Sequence, residues 1–292
     1  MKNIISYYYG LITSEFKKAN DKFIFKANNV NYEFTVFNGE IETFYKVYMI
    51  VKNSSNYCHE IVLNRNNSIY TYYRNKIYIL LKKVFSVSGK VNLKEIINYT
   101  IPTDVFGELN WKELWKEKID YYEYQMSQMS FKYHNIKESF NYYVGLAENA
   151  ISLLNYINNS KIEYYICHKR ISIDEKLEDF VSPINLTLDT RVRDISEYIK
   201  INYINGKLSL ENTIKIVKGL NFNCYEIVLL FSRFLYPSYY FDIYDQIIQG
   251  QVSEEKINYY IKKNTMYEVF LKTVYKFLQN KYIVPEIEWL KS

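Results

Sequence analysis

Two hydrophobic rhythms divide this chain. Over the first eighty or so residues, aromatic and β-branched side chains gather in short runs broken by Asn and Gly, the mark of strands joined by tight turns. Residues 22–25 (Lys-Phe-Ile-Phe) and 31–37 (Asn-Tyr-Glu-Phe-Thr-Val-Phe) are predicted strands, with Asn28-Asn29 as the hairpin turn between them. Asn38-Gly39 closes the second strand. Ile41, Phe44, Tyr45 and Tyr48 then recur at helical spacing and predict a helix over 41–50. Strands are expected at 60–63 and 68–73, with Arg74-Asn75-Lys76 turning the chain into a third at 77–81.

Beyond a linker expected near 82–85, the period changes to that of helices. A short helix is expected at 91–99. Residues 109–129 place Trp111, Leu114, Trp115 and Ile119 on one face of an amphipathic helix. Residues 137–157 form a second, with Phe140, Val144, Ala147 and Ile151 inward. A short apolar strand, Tyr165-Ile166-Cys167, runs into His168, and a loop over 170–190 follows. The next helix starts at Ile195, where Asp194-Ile195-Ser196-Glu197 has the Asp-x-x-Glu form of a capping box. Further helices are expected at 208–217, 224–235, 240–248, 253–262 and 266–279. Strands followed by helices predict an α+β protein, with a strand-rich lobe at 1–85 and a helical lobe at 86–292.

Composition narrows the function classes. With 292 residues the chain can bury a sizeable core. Only 8 Gly and 4 Pro are present, which argues against long flexible linkers and a glycine-rich phosphate loop. The net charge of +5, with acids and bases interspersed, gives no nucleic-acid footprint. The doublets Lys82-Lys83 and Lys262-Lys263 read as solvated faces. Three scattered cysteines, Cys58, Cys167 and Cys224, form no disulfide framework and no metal-ligand spacing. The N-terminus lacks a signal-peptide pattern and no run is long and apolar enough to span a bilayer, so the expected location is the cytoplasm. The 33 tyrosines suit either an AT-rich genome or a surface used in assembly.

The candidate chemistry centres on Tyr165-Ile166-Cys167-His168-Lys169-Arg170. A strand ending in His, with a residue of interest two places on, resembles the catalytic loop of the aminoglycoside-phosphotransferase-like superfamily, where that residue is an Asp base. Four further segments carry the resemblance to a narrower group: 140–150 (Phe-Asn-Tyr-Tyr-Val-Gly-Leu-Ala-Glu-Asn-Ala), 189–198 (Asp-Thr-Arg-Val-Arg-Asp-Ile-Ser-Glu-Tyr), 233–241 (Arg-Phe-Leu-Tyr-Pro-Ser-Tyr-Tyr-Phe) and 284–290 (Val-Pro-Glu-Ile-Glu-Trp-Leu). They resemble the spore coat kinase-like proteins of the CotS and YutH group, the YutH type most closely. The resemblance implies a two-lobed protein-kinase-like fold, with a small antiparallel sheet and one helix in the first lobe and a larger helical second lobe. It also implies a role on the spore coat of an endospore former.

Set against that superfamily, the catalytic positions are degenerate. Arg170 stands where the base should be, and a guanidinium is donor-only and always charged. Glu175 stands where a magnesium-binding Asn is expected, and a carboxylate there remains compatible with the metal. The strand 31–37 lacks the phosphate-binding lysine, with Lys26 lying just before it. Asp179, in Leu177-Glu178-Asp179-Phe180, and Asp189, after Leu188, are the candidates for the remaining metal-binding carboxylate. His168 also fits a plainer role, fixing the loop by a hydrogen bond to backbone. The expectation is a pseudokinase without catalytic residues, cofactor or metal, binding a protein partner such as a coat component, a peptide or a small anion. Two alternatives stay open. One is an atypical phosphotransferase using ATP and magnesium through Glu175, Asp179 or Asp189. The other is a tyrosine-rich structural coat protein.

Overall fold

The computed structural model describes residues 1–19, 22–54, 58–84, 89–103, 110–129, 131–157 and 162–291. Helix α1 (Lys2–Tyr9) opens the chain and stops at Gly10, whose left-handed φ of 68° returns its N–H to the Ser6 carbonyl. Strands β1 (Ser14–Ala19), β2 (Lys22–Ala27) and β3 (Val30–Phe37) follow, then helix α2 (Ile41–Asn53), then β4 (Glu60–Ile61), β5 (Thr71–Tyr73) and β6 (Lys76–Lys82). These strands form one antiparallel sheet in the order β1-β2-β3-β6-β4, with β5 also on β6.

Turn chemistry sets the register. Asn28 and Asn29 have φ of 49° and 58°, so β2 and β3 are joined by a mirror-image two-residue turn that matches strand twist. Arg74 and Asn75 repeat it between β5 and β6, with φ of 48° and 58°. Alternation then gives the sheet two faces. Phe25, Tyr32, Phe34, Tyr78 and Leu80 lie on one, where Ile5 of α1 covers them. Phe37, Ile79 and Leu81 lie on the other, against Phe44 of α2 and Ile184. Fully burying such a side chain contributes about 1.5–3 kcal/mol.

Helix α1 and strand β1 were not expected from the sequence. The Asn28-Asn29 turn is therefore the second hairpin of the sheet. The first is formed by the antiparallel pair β1 and β2. The expected strands at 60–63 and 68–73 shorten to β4 and β5. The boundary expected at 85 falls outside the described residues.

The helical part runs α3 (Leu93–Tyr99), strand β7 (Ile101–Thr103), α4 (Trp111–Met129) and α5 (His134–Leu153). Strand β8 (Tyr164–His168), the short α6 (Leu177–Phe180) and strand β9 (Leu186–Asp189) come next. Strands β7, β8 and β9 form a second, three-stranded sheet. Helices α7 (Val192–Ile204), α8 (Leu210–Gly219), α9 (Cys224–Leu235), α10 (Ser238–Ile248), α11 (Asn258–Ile261), α12 (Asn264–Gln279) and α13 (Glu288–Lys291) complete the chain. The loop expected over 170–190 thus contains α6 and β9.

Two compact units result. The first comprises Met1–Thr103 with Tyr165–Leu188, and the second Asp104–Tyr164 with Asp189–Ser292. The second unit is built around α9, whose residues from Glu226 to Leu235 are all buried. Asn223 caps that helix, its side chain accepting from the Glu226 N–H while Glu226 accepts from Asn223 N–H. Much of the tyrosine enters this core. Tyr143, Tyr240, Tyr244, Tyr267 and Tyr275 are fully buried, and Tyr143 stacks on Tyr240 at 3.7 Å. Their hydroxyls are satisfied locally, as where Tyr267 donates to the Phe234 carbonyl.

Two details of the helices depart from expectation. The inward face of α4 is Trp115, Ile119, Tyr122 and Met126, while Leu114 is exposed. Helix α7 begins at Val192, so Asp194 sits inside its first turn, buried, and Arg191 occupies the cap position without a side-chain cap. Asp194 is therefore not the N-cap that its Asp-x-x-Glu spacing suggested.

Candidate functional site

The end of β8 and the segment after it lie in the first unit, together with the six-stranded sheet. His168 is buried there. Its Nε2 lies 3.1 Å from the Phe180 carbonyl, and its ring stacks on Phe180 at 3.8 Å with Tyr99 at 5.3 Å. A ring packed against Phe180 and Tyr99, which also touch each other, and bonded to backbone fixes the loop. The next residues continue that work, with Lys169 N–H donating to the Asn185 carbonyl at 2.7 Å.

Arg170 is exposed, and its Nη1 donates to the Lys169 carbonyl at 3.2 Å. Glu175 closes the turn that follows. Its carboxylate accepts from Ser172 N–H at 2.8 Å and its carbonyl from Val91 N–H at 2.8 Å. Asp179, on α6, faces Lys22 of β2, with 3.4 Å between Nζ and Oδ1.

That contact belongs to a cluster absent from the sequence reading. Glu33, in the middle of β3, shares its Oε2 between Lys22 at 3.4 Å and Lys83 at 3.6 Å. Lys83 also lies 3.9 Å from Glu178. The Glu33 and Lys83 side chains are each 9 % exposed. The Lys82-Lys83 doublet is accordingly split: Lys82 pairs with Glu60 at the surface, and Lys83 turns inward. Burial works against the Lys22 ammonium, but Glu33 and Asp179 outweigh it and hold its pKa above the usual lysine value.

His59 backs the cluster. It is buried, its Nε2 bonds the Glu178 carbonyl at 2.8 Å and its N–H the Val181 carbonyl at 3.2 Å. Burial lowers its pKa, the Glu178 carbonyl only partly offsetting that, with the Lys83 charge adding to the depression. One signal in the sequence pointed here: Glu33 is the sole charged residue of the aromatic run 31–37. An acid in a strand buried on both faces needs a cation.

Asp189, the other candidate carboxylate, is not part of this group. It ends β9 and belongs to the second unit, where it is fully buried between Arg193 and Arg233. Among the described residues no group of three or more His, Cys, Asp and Glu side chains is arranged to hold a metal ion. No helix among them is long and apolar enough to cross a membrane.

An N-terminal antiparallel sheet followed by a mainly helical part is the protein-kinase-like fold of the small-molecule phosphotransferases. An aminoglycoside phosphotransferase from Alicyclobacillus acidocaldarius shares it with a TM-score of 0.60 at 9% identity, over 94% of this chain and 95% of that one. A spectinomycin phosphotransferase in complex with ADP and spectinomycin gives 0.58 at 11% identity, over 90% and 93%. Choline kinase LicA from Streptococcus pneumoniae gives 0.56 at 11%, over 93% and 97%. Within that class, the sequence profile described as "Spore coat putative kinase YutH" matches residues 2–274, and the chain belongs to that spore coat family. The endospore coat-associated protein YutH of Bacillus subtilis (strain 168) is 24% identical over 291 residues, covering 85% of this chain and 84% of its own length.

Proposed function

We propose that this chain is a catalytically inactive member of the kinase-like fold that serves the spore coat as a binding scaffold. One observation carries the reading: the catalytic-loop position holds an arginine, and the third strand holds no lysine. Kinases use a catalytic-loop Asp to accept the substrate proton and a lysine on the third strand to hold the phosphates. Here the loop position is Arg170, and the third strand, β3, has Glu33 as its charged residue. A guanidinium cannot accept a proton. The Glu33 carboxylate on β3 instead pairs with Lys22 and Lys83, which commits those two cations to it.

The energetic consequence is severe. Losing a general base costs about 10²–10⁴ in rate. Losing the lysine removes electrostatic stabilisation, usually the largest single contribution in such reactions. What remains is a kinase-like fold with a partly exposed ionic cluster in its first unit, suited to a protein segment or a small ionic group. The family's place on the spore coat makes another coat protein the natural partner.

Thermal unfolding of the purified chain with millimolar magnesium and ATP tests this. We expect no shift in midpoint. A nucleotide shift that needs magnesium and disappears in Asp179→Asn would favour the working phosphotransferase.

A further inference from the structure

In the second unit, the carboxylate of Asp189 has no lone pair left to give. An ionised carboxylate offers about four acceptor positions on its two oxygens. Oδ1 accepts from Thr190 N–H at 2.6 Å and from Arg233 Nη2 at 3.1 Å. Oδ2 accepts from Arg193 Nη1 and from Arg233 Nη2 at 3.2 Å. The residue is 0% exposed.

The two guanidinium groups are themselves held. Arg233 lies over the Trp111 ring at 4.4 Å and near Trp115 at 5.8 Å, and Trp115 is stacked on Tyr236 at 4.3 Å. Arg193 faces Trp111 at 5.8 Å. Behind them, buried Lys200 donates to the carbonyls of Arg233 and Tyr236 at 2.9 and 3.0 Å and to Glu197 at 2.8 Å. That ammonium pins the C-terminal end of α9, and with it the backbone that presents Arg233.

We infer that Arg193 and Arg233 are the resident counter-ion of Asp189, standing where the fold's phosphotransferases would place a divalent metal. This rests on reading Asp189, at the end of β9, as the counterpart of their metal-binding Asp, and so deepens the inactive assignment. Magnesium demands near-octahedral oxygen ligands and keeps most of its waters. Neither condition fits a dry carboxylate whose acceptor positions are filled. Arginine stays protonated at any ordinary pH, so no shift of pH vacates the site. The residues present do not suit the metal, and the second unit carries its own permanent cation instead.

The test uses the full chain and manganese or magnesium chloride alone, read by thermal unfolding and by manganese paramagnetic resonance. The wild type is expected to show no metal-dependent shift and no bound manganese. Asp189→Asn should lower the midpoint by roughly 5–10 °C and remain insensitive to metal. Arg193→Gln, at the less buried end of the group, covers the case in which Asp189→Asn does not fold, and it too should lower the midpoint. An unchanged midpoint in Arg193→Gln overturns the inference, as does wild-type manganese binding that vanishes in Asp189→Asn. Manganese binding lost in Asp179→Asn but kept in Asp189→Asn would uphold the commitment of Asp189 while contradicting the inactive reading itself.

Discussion

The chain contains two ionic clusters of opposite character. In the first unit, Lys22, Glu33, Lys83, Glu178 and Asp179 meet at 3.4 to 3.9 Å, and Lys22 and Asp179 are both more than a third exposed. In the second, Asp189 and Arg233 are buried and Arg193 partly so, the three joined by hydrogen bonds, with Lys200 beside them fully satisfied. Partly exposed pairs such as Lys22–Asp179 contribute little to stability and can rearrange around a partner. Tight, dry ones cannot change partners without a large penalty. The difference predicts that the second cluster carries more of the fold's stability than the first.

Substitutions separate the two, and the largest effect belongs to the second cluster. Arg233→Met leaves Asp189 buried with half its cation and opens a gap beside Trp111. It should destabilise by about 3–5 kcal/mol, read as a lower urea midpoint at unchanged slope. Lys200→Met frees two helix-terminal carbonyls and Glu197, and should cost about 2–3 kcal/mol in the same experiment. A loss under about 0.5 kcal/mol in either would erase the distinction between the clusters.

A smaller effect comes from His59. Its pKa is held below the usual 6.5, so the unfolded chain binds more protons near that pH. The stability linked to this group is complete above pH 6.5 and is lost as pH falls toward the folded value. His59→Gln should flatten that acid limb, measured as the difference between wild-type and variant urea midpoints across pH. A wild-type and variant pair that decline in parallel would contradict it. The smallest effect is expected at Lys22. Lys22→Met should change stability by at most about 1 kcal/mol, less at high salt, since the side chain is 35% exposed.

How far the sequence revealed this depends on the range of each signal. Strands β2 and β3, helix α2 and the long helices α4 and α5 announce themselves through local periodicity and the Asn-Asn turn. Helix α1 does not, because its short run of Ile4, Ile5 and Tyr9 makes sense only against the sheet it covers. Strands β1 and β9 are missed for a related reason: Ser-Glu-Phe-Lys-Lys-Ala is a polar edge, and Leu-Thr-Leu-Asp is four residues long. Asp194 shows a local pattern overridden by tertiary packing, since α7 starts two residues earlier and carries it into the core. Arg170 was legible because a motif fixes its offset from His168. The Glu33–Lys83 and Asp189–Arg233 pairs were not, because residues 50 and 44 positions apart meet only through the fold.

Arg170 at the catalytic-loop position and a third strand without a lysine are the claim on which the functional reading stands. Incubation of the purified chain with radiolabelled ATP, magnesium and spore coat extract measures it directly. We expect no label transferred above that in extract alone; transfer that depends on the chain and disappears in Asp179→Asn or Asp189→Asn would contradict it.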